Sequence, residues 1–263
     1  MSRNILFITT DQQRFDALGC NGNIINTPAA DRLAAEGVNF TRAYCNNAVC
    51  APARTTMFTG LHPRSHGVIA NGYAYSSGEH GIASWLKRQA GYKCALIGKS
   101  HFEPMYDVFM KYRQNRMAAE GSNGPWMGFD FVDFALHGPM AGAHYTKWLM
   151  DNHPEMASGF ALGIAGECGG DTGAPEVKYN PVPRECYHTD WVGEHTVKYL
   201  DTLDEDDDWF IWMSFPDPHH PFDPPESEAR RYDWRELPLP PGHPGGDDEI
   251  VRLLEKKPQH WLD

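Results

Sequence analysis

Residues Asn4 to Thr10, NILFITT, run apolar and β-branched up to Asp11. Such a run predicts a buried strand of a parallel sheet. TPAADRLAAEG follows, with Thr27 as candidate N-cap, Pro28 at the first helical position and Gly37 as the stop. VNFTRAY, beginning at Val38, reads as a second strand. Pro52 to Thr59 reads as a helix opened by proline and ended by Gly60. IASWLKRQAG has the period of an amphipathic helix closed by Gly91, and YKCALIG is a strand ending in Gly98. From about His101 to Pro183 the periodicity fades among Gly, Pro, Met and aromatics, which predicts a long pocket-forming insertion. Alternation resumes with DWVGEHTVKYLDTL, a helix capped by Asp190, then the strand WFIWMSF. The acidic run Asp204 to Asp208 between them reads as a solvated turn. A proline-rich PDPHHPFDPP loop and a short helix around Asp248 to Glu255 complete the chain.

Strands alternating with helices predict an α/β fold, a mostly parallel sheet sandwiched by helices. Ligands of such sheets gather beyond the carboxyl ends of the strands. Asp11, Gln12, Cys50, Lys99, His101, His219 and His220 each follow a strand candidate and are therefore expected to converge.

Composition narrows the function classes. At 263 residues the chain has room for one large domain or two small ones. Lys+Arg 23 against Asp+Glu 35 gives a net charge of -12, which argues against a nucleic-acid partner. No stretch approaches the roughly 18 consecutive apolar residues of a membrane span, so no membrane partner is expected. The N-terminal apolar run passes straight into Asp and Gln without a small-residue cleavage site, which leads to the expectation of a cytoplasmic protein. The cysteines (Cys20, Cys45, Cys50, Cys94, Cys168 and Cys186) are then expected to be mostly free thiols, with no close CxxC pair for structural zinc.

The candidate chemistry lies at the strand ends. Asp11 and Gln12 offer hard oxygen ligands for Ca²⁺, Mg²⁺ or Mn²⁺, although a strand-end Asp is more often a turn residue. Cys50 precedes a proline-started helix, where free amides and the dipole favour an anion and lower a thiol pKa. Its plain alternative is a buried free cysteine. Arg54, one turn on, can grip the same anion, or serve only in an ion pair. Lys99 and His101, two apart, share a face in extended chain; Lys99 would neutralise an anion and His101 would move protons. His219 sits in a proline-stiffened loop as a candidate general acid, with His220 expected to point elsewhere. His137 and His144 either line a substrate pocket or pack a lid. These residues describe an anion-processing α/β enzyme with a metal and a special cysteine, and leave a Cys-His thiol hydrolase open.

Cys50-Ala51-Pro52-Ala53-Arg54, continuing to Thr59-Gly60, resembles the type I sulfatase signature, C-x-P-x-R followed by T-G. Gly91-Tyr92 through Gly98-Lys99-Ser100-His101 resembles the second sulfatase signature, with Cys94 where Ser or Thr is usual. Asp11 and the Pro218-His219-His220-Pro221-Phe222 loop fall where that family places a metal ligand and a catalytic histidine. The resemblance implies an alkaline-phosphatase-like fold and hydrolysis of sulfate monoesters. It implies that a formylglycine-generating enzyme converts Cys50 to formylglycine, whose hydrate attacks sulfur. A divalent metal, with Ca²⁺ favoured over Mn²⁺ or Mg²⁺, would be held by Asp11, Gln12 and Cys50. Arg54 would polarise the hydrate, and Lys99 would bind the sulfate oxygens. His219 would contact the substrate and assist the leaving alcohol, and His101 would help expel sulfate. Asp11-Gln12 in place of Asp-Asp is similar to phosphonate monoester hydrolases, and Asn71 resembles their substrate-contacting Asn. Phosphonate or phosphate esters are therefore an alternative substrate class, and a non-catalytic anion-binding fragment is another reading. Family members continue beyond this length to a second pair of metal ligands, so the chain (1–263) reads as the N-terminal part of such a catalytic domain, its C-terminal part missing. Oligomeric state is left open, a homo-oligomer included.

Overall fold

The computed structural model describes residues 4–258 except 23, 76, 106, 108, 139–142, 157–158, 161–176 and 241, so Cys168 lies outside the described residues. Strands β1 (Ile5–Thr9), β2 (Lys93–Gly98), β3 (Phe131–Phe134) and β4 (Trp209–Ser214) form a 4-stranded sheet in the order β1-β4-β2-β3. Every pairing is parallel. The longer helices are α1 (Pro28–Glu36), α2 (Cys50–Thr59), α3 (Ile82–Ala90), α4 (Arg113–Glu120), α5 (His144–Asn152), α6 (His188–Leu200) and α7 (Asp247–Leu254).

Side chains alternate between the faces of a strand. Cys94 and Leu96 of β2, with Phe210 and Trp212 of β4, face Phe58, Ala83, Leu86 and Met117 of α2, α3 and α4. Ala95, Ile97 and Ile211 face the other way, onto Tyr145, Leu149, Trp191 and Val192 of α5 and α6. The expected sandwich of a parallel sheet between helices is therefore present. Its register fixes the site: Thr9 pairs with Ser214, Ser214 with Gly98, and Gly98 with Phe134. All strands end in one row, and the chain leaves each of them at the same edge.

Several local expectations fail for identifiable reasons. β1 is a strand but is not buried, with Ile5, Leu6 and Ile8 at 37%, 43% and 46% exposure. Among the described residues it pairs with β4 alone and only its Phe7 packs onto the core, so the apolar run reported sheet pairing rather than two-sided burial. VNFTRAY is loop: Val38, Phe40 and Tyr44 are 75%, 76% and 86% exposed, with no partner strand among the described residues to make their β-propensity count. The 101–183 stretch is not irregular throughout, since it contains α4, β3 and α5. β3 escaped notice because Asp133 interrupts its four residues; that buried carboxylate is bonded to His195 Nδ1 at 2.6 Å. Thr27 precedes α1 without capping it, because its hydroxyl takes the Gly19 amide and bonds Asp31. Asp190 lies inside the first turn of α6, whose N-cap is Tyr187, and pairs with Arg184 at 2.7 Å.

Candidate active site

The helix that begins with Cys50 is tied directly to the sheet's carboxyl edge. Arg54 is buried, and its Nη1 donates to the Lys99 carbonyl at 2.6 Å and to Ser214 Oγ at 2.7 Å. The Ser214 hydroxyl donates to the same carbonyl, and Thr9 Oγ1 donates to Ser214 Oγ at 3.1 Å. One guanidinium thus locks α2 against the ends of β2 and β4. Gly98 makes the approach possible: its φ is +106°, and an added Cβ would lie 1.8 Å from the Ser214 carbonyl oxygen. Helix α2 begins at Cys50 rather than Pro52, and Cys50 follows loop rather than a strand.

Asp11, held by its amide on the Asp217 carbonyl at 3.0 Å, is the buried anion of the cluster. Lys99 Nζ forms a close ion pair with its Oδ2, and Arg54 Nη2 stands 3.5 Å from the same oxygen. Cys50 Sγ lies 3.6 Å from Asp11 Oδ1 and 3.9 Å from Lys99 Nζ. Two buried cations against one carboxylate leave a positive excess beside the thiol, in a chain whose overall charge is -12. Such an excess favours a bound anion.

These neighbours set the protonation states. Burial raises the Asp11 carboxyl, but Lys99 and Arg54 outweigh it and hold it below the ordinary carboxylate range. Burial lowers Lys99, against the pull of Asp11. The Cys50 thiol is pushed up rather than down, by burial first and then by Asp11, against Lys99. The expected helix-terminus activation is therefore overridden. Its amides are also largely committed: Ala51 N–H donates to Asn71 Oδ1 at 3.0 Å, Pro52 has none, and Ala53 N–H bonds Val49 O at 3.1 Å. Asn71 thereby acts as a borrowed cap for α2, since Val49 at the N-cap position supplies no side-chain bond.

A cavity of about 570 Å³ opens on one side, lined in part by Asn71, Lys99, His101, His137, His219 and Asp223. A smaller one of about 190 Å³ is lined by Asp11, Gln12, Cys50 and Arg54. His101 reaches its cavity with φ at +58°, so it does not share a face with Lys99 by extension of the chain. Burial, reinforced by Lys99 and Arg54, takes its pKa down to about 3. His219 is lowered by burial and Lys99, and its Nδ1–H donates to the His220 carbonyl at 2.5 Å. His220 does not turn away but stacks on His219 at 4.3 Å and lines the same cavity. His144 is structural, bonded to the Phe134 amide and the Ser122 carbonyl. Sequence reasoning missed Asp217, Asp223 and His188; Asp217 follows a strand as Asp11 does, which was the available signal.

For a hard cation, Asp11, Cys50 and His219 each offer one ligand atom within 4.8 Å of the others. Ca²⁺ takes six to eight oxygens. One carboxylate already paired with two cations, a thiol and an imidazole do not fit such an ion, even with Gln12 added. The described residues supply at most one side of a cation site.

The sulfatase family model matches residues 3–236. An arylsulfatase of Clostridium perfringens is 29% identical over 257 residues, covering 91% of this chain and 48% of that protein. A sulfatase of Escherichia coli, YidJ, itself uncharacterised, is 27% identical over 261 residues, covering 98% and 45%. The phosphonate monoester hydrolase of Agrobacterium radiobacter superposes with a TM-score of 0.68 at 27% identity, covering 90% of this chain and 45% of that one. The chain spans about half the length of the curated relatives it matches.

Proposed function

This chain belongs to the sulfatase family, and on that premise we propose that it carries the nucleophile-bearing part of a sulfate monoester hydrolase. The observation behind this reading is the positive excess of Lys99 and Arg54 around Asp11, beside Cys50. Formylglycine at Cys50, installed by a formylglycine-generating enzyme, would supply a hydrated aldehyde oxygen as nucleophile. The raised thiol pKa fits a precursor side chain better than a thiolate nucleophile. Lys99 binds the sulfate oxygens, at the expense of part of its pairing with Asp11. Arg54 holds α2 and the Lys99 backbone in place. His101 is neutral near pH 7 and, once the bound sulfate anion raises its pKa, takes the remaining hydroxyl proton of the sulfated hydrate as the C–O bond to sulfate breaks and the aldehyde re-forms. His219, also neutral at rest, becomes an acid for the leaving alcohol once the substrate anion raises its pKa. Asn71 and His219 contact the substrate from the cavity wall. The family implies a divalent cation; Asp11, Gln12 and Cys50 would supply one side of its site, and because these donors alone do not fit Ca²⁺, no step above runs through it.

Similarity to a phosphonate monoester hydrolase favours a second reading, phosphonate or phosphate monoesters as substrates. Measuring kcat/KM on an aryl sulfate and on the matched aryl phosphonate, with wild-type protein and Cys50→Ala, decides between them. The sulfate ester is expected to be preferred and its turnover lost in Cys50→Ala. Full turnover by Cys50→Ala would overturn both readings.

A further inference from the structure

A second set of ligand-type side chains lies behind His219. His137 follows β3, His188 opens α6 and Asp217 follows β4, and one ligand atom from each lies within 4.8 Å of the others. His188 Nε2 stands 3.8 Å from Asp217 Oδ1. The other carboxylate oxygen accepts the Thr189 hydroxyl at 2.5 Å, which fixes the plane of the acid. His188 is 1% exposed, yet among the described residues its Nδ1 has no hydrogen-bond partner, and neither has the buried Nε2 of His137. An unsatisfied buried polar atom is costly, so the orphaned His137 nitrogen beside the His188–Asp217 pair is a poor structural arrangement without a ligand. The rings themselves meet edge-to-face at 5.7 Å.

We infer that His137, His188 and Asp217 bind a first-row divalent cation of the zinc type. Two imidazoles and one carboxylate suit such an ion, whereas Ca²⁺ and Mg²⁺ take oxygen ligands. Bonds of about 2.0–2.2 Å to zinc place tetrahedral ligand atoms roughly 3.4 Å apart, so the cluster closes by modest side-chain rotation. Thr189 orients the carboxylate from outside, as ligating acids require. His137 also lines the large cavity, which leaves the fourth position to water or to a ligand from that cavity. The cation is distinct from the one considered at Asp11, but it touches the same machinery. His137 stacks on His219 at 4.4 Å, and the Asp217 carbonyl accepts the Asp11 amide. Occupancy would therefore fix the ring against which His219 packs. The inference stands independently of which ester is hydrolysed.

Co²⁺, a spectroscopic stand-in for zinc, tests it through its visible d–d absorption. Co²⁺ is titrated into metal-stripped protein held in excess Ca²⁺, using wild type, His137→Ala and Asp217→Asn, with thermal unfolding to verify that each variant is folded. Wild type is expected to show a saturable band of one equivalent that Zn²⁺ displaces and added Ca²⁺ does not. Affinity should fall by at least about tenfold in each variant. If Asp217→Asn unfolds, the half-buried His137→Ala alone decides. Unchanged affinity in His137→Ala, a band lost instead in Cys50→Ser, or no Zn²⁺-displaceable binding would each overturn the assignment.

Discussion

Asn71→Ala separates two jobs that one side chain combines. In the structure Asn71 Oδ1 takes the Ala51 amide at 3.0 Å, and Ala51 is 1% exposed. Without that acceptor the amide has no ready access to water, so the loss belongs at the upper end for a helix cap, about 1–2 kcal/mol. For a chain of this size that corresponds to a fall in Tm of about 2–8 °C. Asn71→Asp keeps an acceptor and adds a negative charge at a helix N-terminus, which the helix dipole favours, so its stability should match or exceed wild type. The same charge beside Cys50 repels an anionic ester, and kcat/KM should drop by about tenfold or more. Thermal and urea unfolding of wild type and both variants, with ester turnover alongside, provide the readout. An Asn71→Ala protein as stable as wild type would refute the borrowed cap, as would an Asn71→Asp protein as unstable as Asn71→Ala.

Asp11→Asn strands two buried cations and should cost about 3–5 kcal/mol, read as a lower urea midpoint; an unchanged midpoint would show that Lys99 and Arg54 do not depend on it. Because the folded pKa of Asp11 lies below its ordinary value of 3.8, its stabilisation is complete above that pH and is lost as pH falls through the folded value. His101 is lowered from 6.5 to about 3, so burying it neutral favours the fold above pH 6.5 and erodes stability as pH falls toward 3. His101→Gln should flatten that part of the stability-against-pH curve, and an unaltered slope would contradict the assignment. Gly98→Ala, at φ +106° and in collision with the Ser214 carbonyl, should cost more than about 1 kcal/mol by urea unfolding, and a neutral result would mean that β2 and β4 can part locally.

The α/β class, the strands β1, β2 and β4, and the convergence of Asp11, Lys99, His101 and His219 were legible because each of these strands reads as an apolar run that stops near a reactive side chain; Cys50 joins them from a loop, although a strand was expected before it. What escaped was set by tertiary context. β3 is short and carries Asp133, whose charge is compensated by His195 from a distant helix, so no local pattern announces it. Missing β3 hid the strand-end position of His137. VNFTRAY has strand composition but no partner, and β1 has the composition of a central strand while lying at an edge. The protonation states were misjudged for a similar reason: the helix terminus at Cys50 is a local feature, while the burial and the Asp11 carboxylate that override it come from elsewhere in the fold.

If Cys50 is the precursor of the nucleophile, the mass of the peptide containing residues 50–54, taken from protein co-expressed with a formylglycine-generating enzyme and followed alongside sulfate ester turnover, reports it. The expected result is an aldehyde at Cys50 whose fraction rises in proportion to kcat. A fully active protein in which that peptide carries only the unmodified thiol would contradict it.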